Sequence, residues 1–179
     1  DDNGAAWLSS IILFLSATAA YKNFKIGRQY SIYGYYSFLV VSILLLAMSC
    51  DEIARIHERI QNYIPSFIDV PENRKKHAEW VWVGGPIILI LFIIAIQILR
   101  RPLSLVPKTN LLLVLGFGSI FMGGVVFESS INWLNHDELQ WVWNAEIFVE
   151  ESLEFAGSLL ILYGFTRWNQ IMTEKHSSQ

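Results

Sequence analysis

Apolar runs of roughly twenty residues, the length of helix that crosses a bilayer core, recur five times along the chain. They cover about Ala5–Tyr21, Ser31–Cys50, Trp80–Leu99, Asn110–Trp133 and Trp141–Phe165. The second run predicts a helix that continues through "DEIARIHERI" to about residue 60. Between it and the third lies "PSFIDVPENRKKH", whose prolines and polar residues mark a loop. The pattern predicts an all-α fold: one integral membrane helical bundle with five transmembrane helices over residues 1–179.

Composition agrees with this pattern. Of 179 residues, 53% are hydrophobic and 16% charged, against about 25% charged in soluble domains. The net charge of −3 is less informative than where the charges fall. A single cysteine, Cys50, excludes an intrachain disulfide and a cysteine-rich zinc or iron–sulfur site. The chain starts at Asp1 without Met, which reads as a processed start. No signal-peptide pattern precedes the first run, so it is expected to be a mature helix.

The connecting segments alternate in charge. "YKNFKIGRQ" and "RRPLSLVPK" are basic, as is the C-terminal tail through Arg167 and Lys175, whereas "DDNG" and "LNHDELQ" are acidic or neutral. The cluster Arg74, Lys75, Lys76 is the dissenting segment. By the positive-inside rule the N-terminus lies outside and the C-terminus in the cytoplasm. Trp7, Trp80, Trp82, Trp133, Trp141 and Trp143 then form an outer aromatic belt. A helical bundle of this kind belongs in an inner or photosynthetic membrane, in contact with lipid.

The acidic residues set the chemistry. The topology gathers Asp51, Glu52 and Glu58 from the second helix, Glu128 from the fourth, and Glu146, Glu150, Glu151 and Glu154 from the fifth at one side of the membrane. At about 100° per residue, Glu146, Glu150, Glu154 and Gly157 share a stripe, with Glu151 on its shoulder. Asp51, Arg55 and Glu58 share another, bordered by Glu52, and His57 is expected to point away toward Cys50. On the second helix Arg55 and Arg59 have good ion-pair spacings to their acidic neighbours. The fifth helix carries four glutamates and no basic residue before Arg167, so the charge does not balance.

Three routes close that gap. A divalent cation (iron, manganese or zinc) sits among Asp51, Glu52, His57, Glu58, Glu128, Glu150, Glu151 and Glu154, with Arg55 and Arg59 behind them. Alternatively, some carboxyls carry protons as a relay or buried network, because loss of water disfavours the charged form. In the third route the chain is a non-enzymatic subunit of a larger membrane complex whose partners bring arginines. The Glu-x-x-His signature of di-iron bundles is absent. A zinc site using His57, His77 and His136 is a further alternative. A redox-active ion implies a lipophilic substrate or quinol, and zinc implies lipid hydrolysis. Neither a phosphate loop nor a dinucleotide fingerprint occurs, and the basic clusters read as topology signals rather than as nucleic-acid sites. Gly116, Ser119, Gly123, Gly124, Gly157 and Gly164 predict close helix packing.

"MSCDEIARIHERI", the glutamate within "GGVVFESSINW", and "EESLEFAGSLLILYG" together resemble a group of small bacterial polytopic membrane proteins without an established activity. The resemblance runs from the second span onward. It implies a polytopic bundle with polar residues from the second, fourth and fifth spans, and it carries no reaction with it.

Overall fold

The computed structural model describes residues 4–60, 80–130 and 140–177. They form helices α1 (Gly4–Gln29), α2 (Tyr36–Ala54), the short α3 (Ile56–Ile60), α4 (Val81–Leu103), α5 (Thr109–Phe121), α6 (Glu128–Ser130) and α7 (Gln140–Ser177). A π-helical segment, Met122–Phe127, joins α5 to α6. No strand occurs among the described residues.

Three of these helical stretches, Tyr36–Ala54, Val81–Leu103 and Thr109–Ser130, are long and apolar enough to cross a membrane. This defines a multi-pass membrane protein. The remaining long helices, α1 and α7, begin with their apolar runs but end well beyond them. α1 continues to Gln29 and takes in Lys22, Lys25 and Arg28. α7 runs unbroken for 38 residues, about 57 Å at 1.5 Å per residue, so the expected basic tail is helix.

Neighbouring helices run antiparallel. Ser10 and Ser49 exchange bonds between the start of α1 and the end of α2, Ser10 Oγ reaching Ser49 O at 2.7 Å and Ser49 Oγ reaching Ser10 O at 2.9 Å. At the opposite end, Asn23 Nδ2 donates to Phe165 O at 3.0 Å and Trp168 Nε1 to Pro102 O at 2.9 Å. These pairings place Asp51, Glu52, Glu128, Glu146, Glu150, Glu151 and Glu154 at one end of the bundle. Lys22, Lys25, Arg28, Arg100, Arg101, Lys108, Arg167 and Lys175 lie at the other. Trp7, Trp80, Trp82 and Trp141 all fall at the acidic end, three of them on the surface and Trp80 buried. Trp133 lies outside the described residues.

The core lies between these ends. Val41, Leu45, Phe117, Ile161, Phe165 and Trp168 are fully buried there and belong to one cluster. The surface is more apolar than the interior at several places. On α1, Trp7, Leu8, Ile11, Phe14 and Leu15 are exposed, while Ser9, Ser10, Ser16 and Asn23 are buried.

Where α5 crosses α7, the backbones touch. A Cβ on Gly116 would lie 2.9 Å from Gly157 O, and one on Gly157 would lie 2.6 Å from Gly116 O. Backbone cannot swing away as a side chain can, so both positions exclude any larger residue. The expected small-residue packing is therefore realised at Gly116 and Gly157, whereas Gly118 faces open space. Replacing Gly157 with Ala is expected to destabilise by about 1–3 kcal/mol through overpacking. Gly118→Ala should be neutral or slightly stabilising. Thermal unfolding of the two variants in detergent provides the comparison.

Candidate functional site

The acidic end encloses a cavity of about 200 Å³, enough for several water molecules at about 30 Å³ each. Its acidic lining is Asp51, Glu52, Glu128, Glu150, Glu151 and Glu154, joined by Arg55, His57 and Trp80. Ala6 and Ser9 contribute from α1, and Leu44, Met48, Ile88, Leu91, Phe92, Ile120, Gly124 and Val125 complete the wall. Seven of the eight expected ligand residues thus border one space. The eighth, Glu58, lies on α3 with its side chain outside what is described, and Arg59 is exposed and not part of the lining. His77 and His136 lie outside the described residues.

The second helix does not continue as the sequence pattern predicts. Arg55 adopts φ 47°, ψ 48°, a left-handed conformation that ends α2. The break reverses the expected direction of His57. Its backbone N–H donates to Asp51 Oδ1 at 3.1 Å, and its ring Nδ1 lies 2.7 Å from Asp51 Oδ2. Asp51 therefore both caps the new helix and orients the imidazole. Without Arg55 in that conformation, one more turn of α-helix would carry His57 away from Asp51, as simple periodicity implies. The His57 ring in turn packs against Trp80, centroids 4.8 Å apart. Trp80 Nε1 donates to Glu128 Oε1 at 2.7 Å. The sequence pattern places Trp80 only in an interfacial belt. An indole N–H at the same end of the bundle as the acids is the signal for such a pairing.

The π-helical segment sets the position of Glu128 and makes room for Glu154. An α-helix turns 100° per residue, so twelve residues would leave Glu128 about 120° from Gly116. A π-bulge absorbs about one residue, which returns Glu128 to within about 20° of the face that meets α7. The Glu128 N–H reaches Gly123 O, five residues back, as this geometry requires. Gly124 is tightly constrained: a Cβ there would lie 2.5 Å from Glu154 Oε1. The Gly123–Gly124 pair, expected only to aid packing, forms a recess occupied by a carboxyl group.

The expected glutamate stripe on α7 is divided. Glu150, Glu151 and Glu154 line the cavity, whereas Glu146 is buried beside Ser130, whose hydroxyl donates to Glu146 Oε1. Among the described residues Glu146 Oε2 has no hydrogen-bond partner. Glu52, Glu150 and Glu154 have neither a hydrogen bond nor an ion pair from their side chains among the described residues. At the same time, no three His, Cys, Asp or Glu side chains among the described residues stand close enough to hold a metal ion. The acids converge on one cavity without forming a ready-made coordination shell.

A membrane helical bundle with an acid-lined cavity at one end is the class that this fold and cavity define. Residues 3–168 match the family described as a domain of unknown function, DUF8692, and the chain belongs to that family. No curated protein and no solved structure matches the chain.

Two substitutions probe the construction of the cavity. Asp51→Ala is expected to cost about 1 kcal/mol through loss of the α3 cap and to free the imidazole. The accompanying change in the His57 ring ¹⁵N shifts is its specific signature. Gly124→Ala should displace the Glu154 carboxyl from its recess at little cost in stability, because only the end of a flexible side chain has to move. Thermal unfolding together with the infrared carboxyl bands of a Glu154→Gln reference would report both effects.

Proposed function

We propose that this is a five-span membrane protein whose acid-lined cavity binds a positively charged ligand. The observation that carries this reading is the meeting of Glu52, Glu150 and Glu154 on one cavity with no basic or hydrogen-bonding side chain of their own. Carboxylates removed from water require a compensating positive charge. Arg55 borders the same space, but one guanidinium does not balance six lining acids.

The inverted polarity of α1 supports its assignment as a span. A helix that buries serines and exposes Trp, Leu, Ile and Phe is suited to hydrocarbon as its solvent. With α1 and α7 included, the basic end faces the cytoplasm and the cavity opens in the outer half, N-terminus outside. A divalent ion (iron, manganese or zinc) is one ligand of the required charge. To hold it directly, at least three of Glu52, Glu128, Glu150, Glu151 and Glu154 must close inward. Their flexible side chains allow that movement, and the Asp51–His57 pair supplies an oriented nitrogen beside them.

Calorimetric titration of the full chain in nanodiscs with Mn²⁺, Fe²⁺, Zn²⁺ and propylammonium tests the reading. At least one cation is expected to bind, and Glu150→Gln/Glu154→Gln should weaken it tenfold or more. Absence of binding by every cation, or binding indifferent to the double substitution, overturns it. The lack of three donors in ligating range among the described residues favours one second reading, in which protons supply the positive charge. Cation-free protein whose infrared carboxyl bands titrate with pH, and lose intensity in the double variant, would identify that case.

A further inference from the structure

The cavity has two chemically different walls. Carboxyl groups of α2, α6 and α7 form one. The other is apolar, lined by Leu44 and Met48 of α2 and by Ile88, Leu91 and Phe92 of α4. Leu44 lies eight residues from Glu52, about 12 Å along the helix, so the apolar part extends well into the bundle.

That apolar part also reaches the outer surface. Leu91 lines the cavity and is nevertheless 41% exposed on the lipid-facing side of α4, among exposed Ile87, Ile90 and Ile94. α2 packs extensively on α1 but meets α4 only sparsely. The space is therefore bordered by a thin seam between α2 and α4. Toward the basic end the bundle is closely packed, with Leu45, Phe117 and Ile161 all essentially inaccessible.

We infer that the ligand is an amphipathic cation. Its ammonium-type head sits among Glu52, Glu150 and Glu154, and its hydrocarbon chain leaves through the α2–α4 seam past Met48 and Leu91. This deepens the cation-binding reading and rests on it. Charge complementarity selects the head group, since an anionic head would meet six acids against Arg55 and His57. A fully neutral lipid would leave the carboxyls unpaired. A small hydrated ion would use the acidic wall but leave the apolar wall and its opening to lipid without a role. The aromatic faces of Trp80 and Phe92 in the same lining suit a cation with an alkyl body.

The test uses the full chain in nanodiscs and a series of n-alkylammonium ions from propyl to dodecyl, with dodecanol and dodecyl sulfate as controls. Affinities are referred to the concentration in the bilayer for ligands that partition. Dodecylammonium is expected to bind at least tenfold more tightly than propylammonium, and the two controls at least tenfold more weakly than dodecylammonium. Leu91→Trp fills the seam from an exposed position, and Met48→Trp fills it from the facing helix. Each should bring the ratio of long-chain to short-chain affinity close to one, with circular dichroism verifying the helical fold. Equal affinities along the series, or a ratio unchanged in both folded variants, overturns the seam while leaving cation binding in place. Dodecanol binding as well as the amine overturns the charge requirement. Failure of every cation to bind removes both this inference and the reading beneath it.

Discussion

The repulsion among carboxylates held in an apolar bundle is the constraint on which the rest of the structure depends. Two unit charges 4 Å apart interact by about 4 kcal/mol even at an effective dielectric of 20. A cavity bordered by six acids therefore persists only if positive charge enters it or the acids are spread apart. Both responses have structural counterparts. The acids come from three helices and surround a space rather than meeting at a point. Asp51 is engaged by His57 and Glu128 by Trp80, and among the described residues only Glu52, Glu150 and Glu154 of the lining acids have neither a hydrogen bond nor an ion pair.

Backbone irregularities provide this distribution. A continuous α-helix from Ser31 to Ile60 would keep Asp51 and His57 on different faces. The left-handed Arg55 folds the chain back, and one aspartate then satisfies both a helix-start N–H and an imidazole. A regular helix from Thr109 to Ser130 would turn Glu128 away from α7, and the π-helical segment corrects that phase. Glycines allow the correction to be tightly packed: Gly116 and Gly157 let α5 touch α7, and Gly124 leaves space for the Glu154 carboxyl. The features that interrupt ideal helices are thus the ones that assemble the cavity. Apolar side chains of α2, α4 and α5 complete its wall.

Much of the architecture was legible in the linear pattern, because runs of twenty apolar residues have few structural solutions in lipid. Tyr36–Ala54, Val81–Leu103 and Thr109–Ser130 follow closely from their runs. The ends of α1 and α7 did not, since charged residues such as Lys22 and Arg167 continue a helix as readily as they end one. The gathering of Asp51, Glu52, Glu128, Glu150, Glu151 and Glu154 at one end followed from counting antiparallel spans. Separation of Glu146 from that group did not, because helical phase places it on the same stripe as Glu150 and Glu154.

By itself the amino-acid sequence determined the helical class, the segregation of acidic and basic ends, and the excess of carboxyl groups over local cations. These depend on composition and on regular periodicity, which are local properties of the chain. Only the tertiary structure decided that His57 turns to Asp51, that Trp80 reaches Glu128, and that Gly124 yields its side-chain space to Glu154. Each of those depends on a departure from regular geometry or on a contact between distant segments. Periodicity assumes that a helix stays regular and cannot register where packing makes it break or widen.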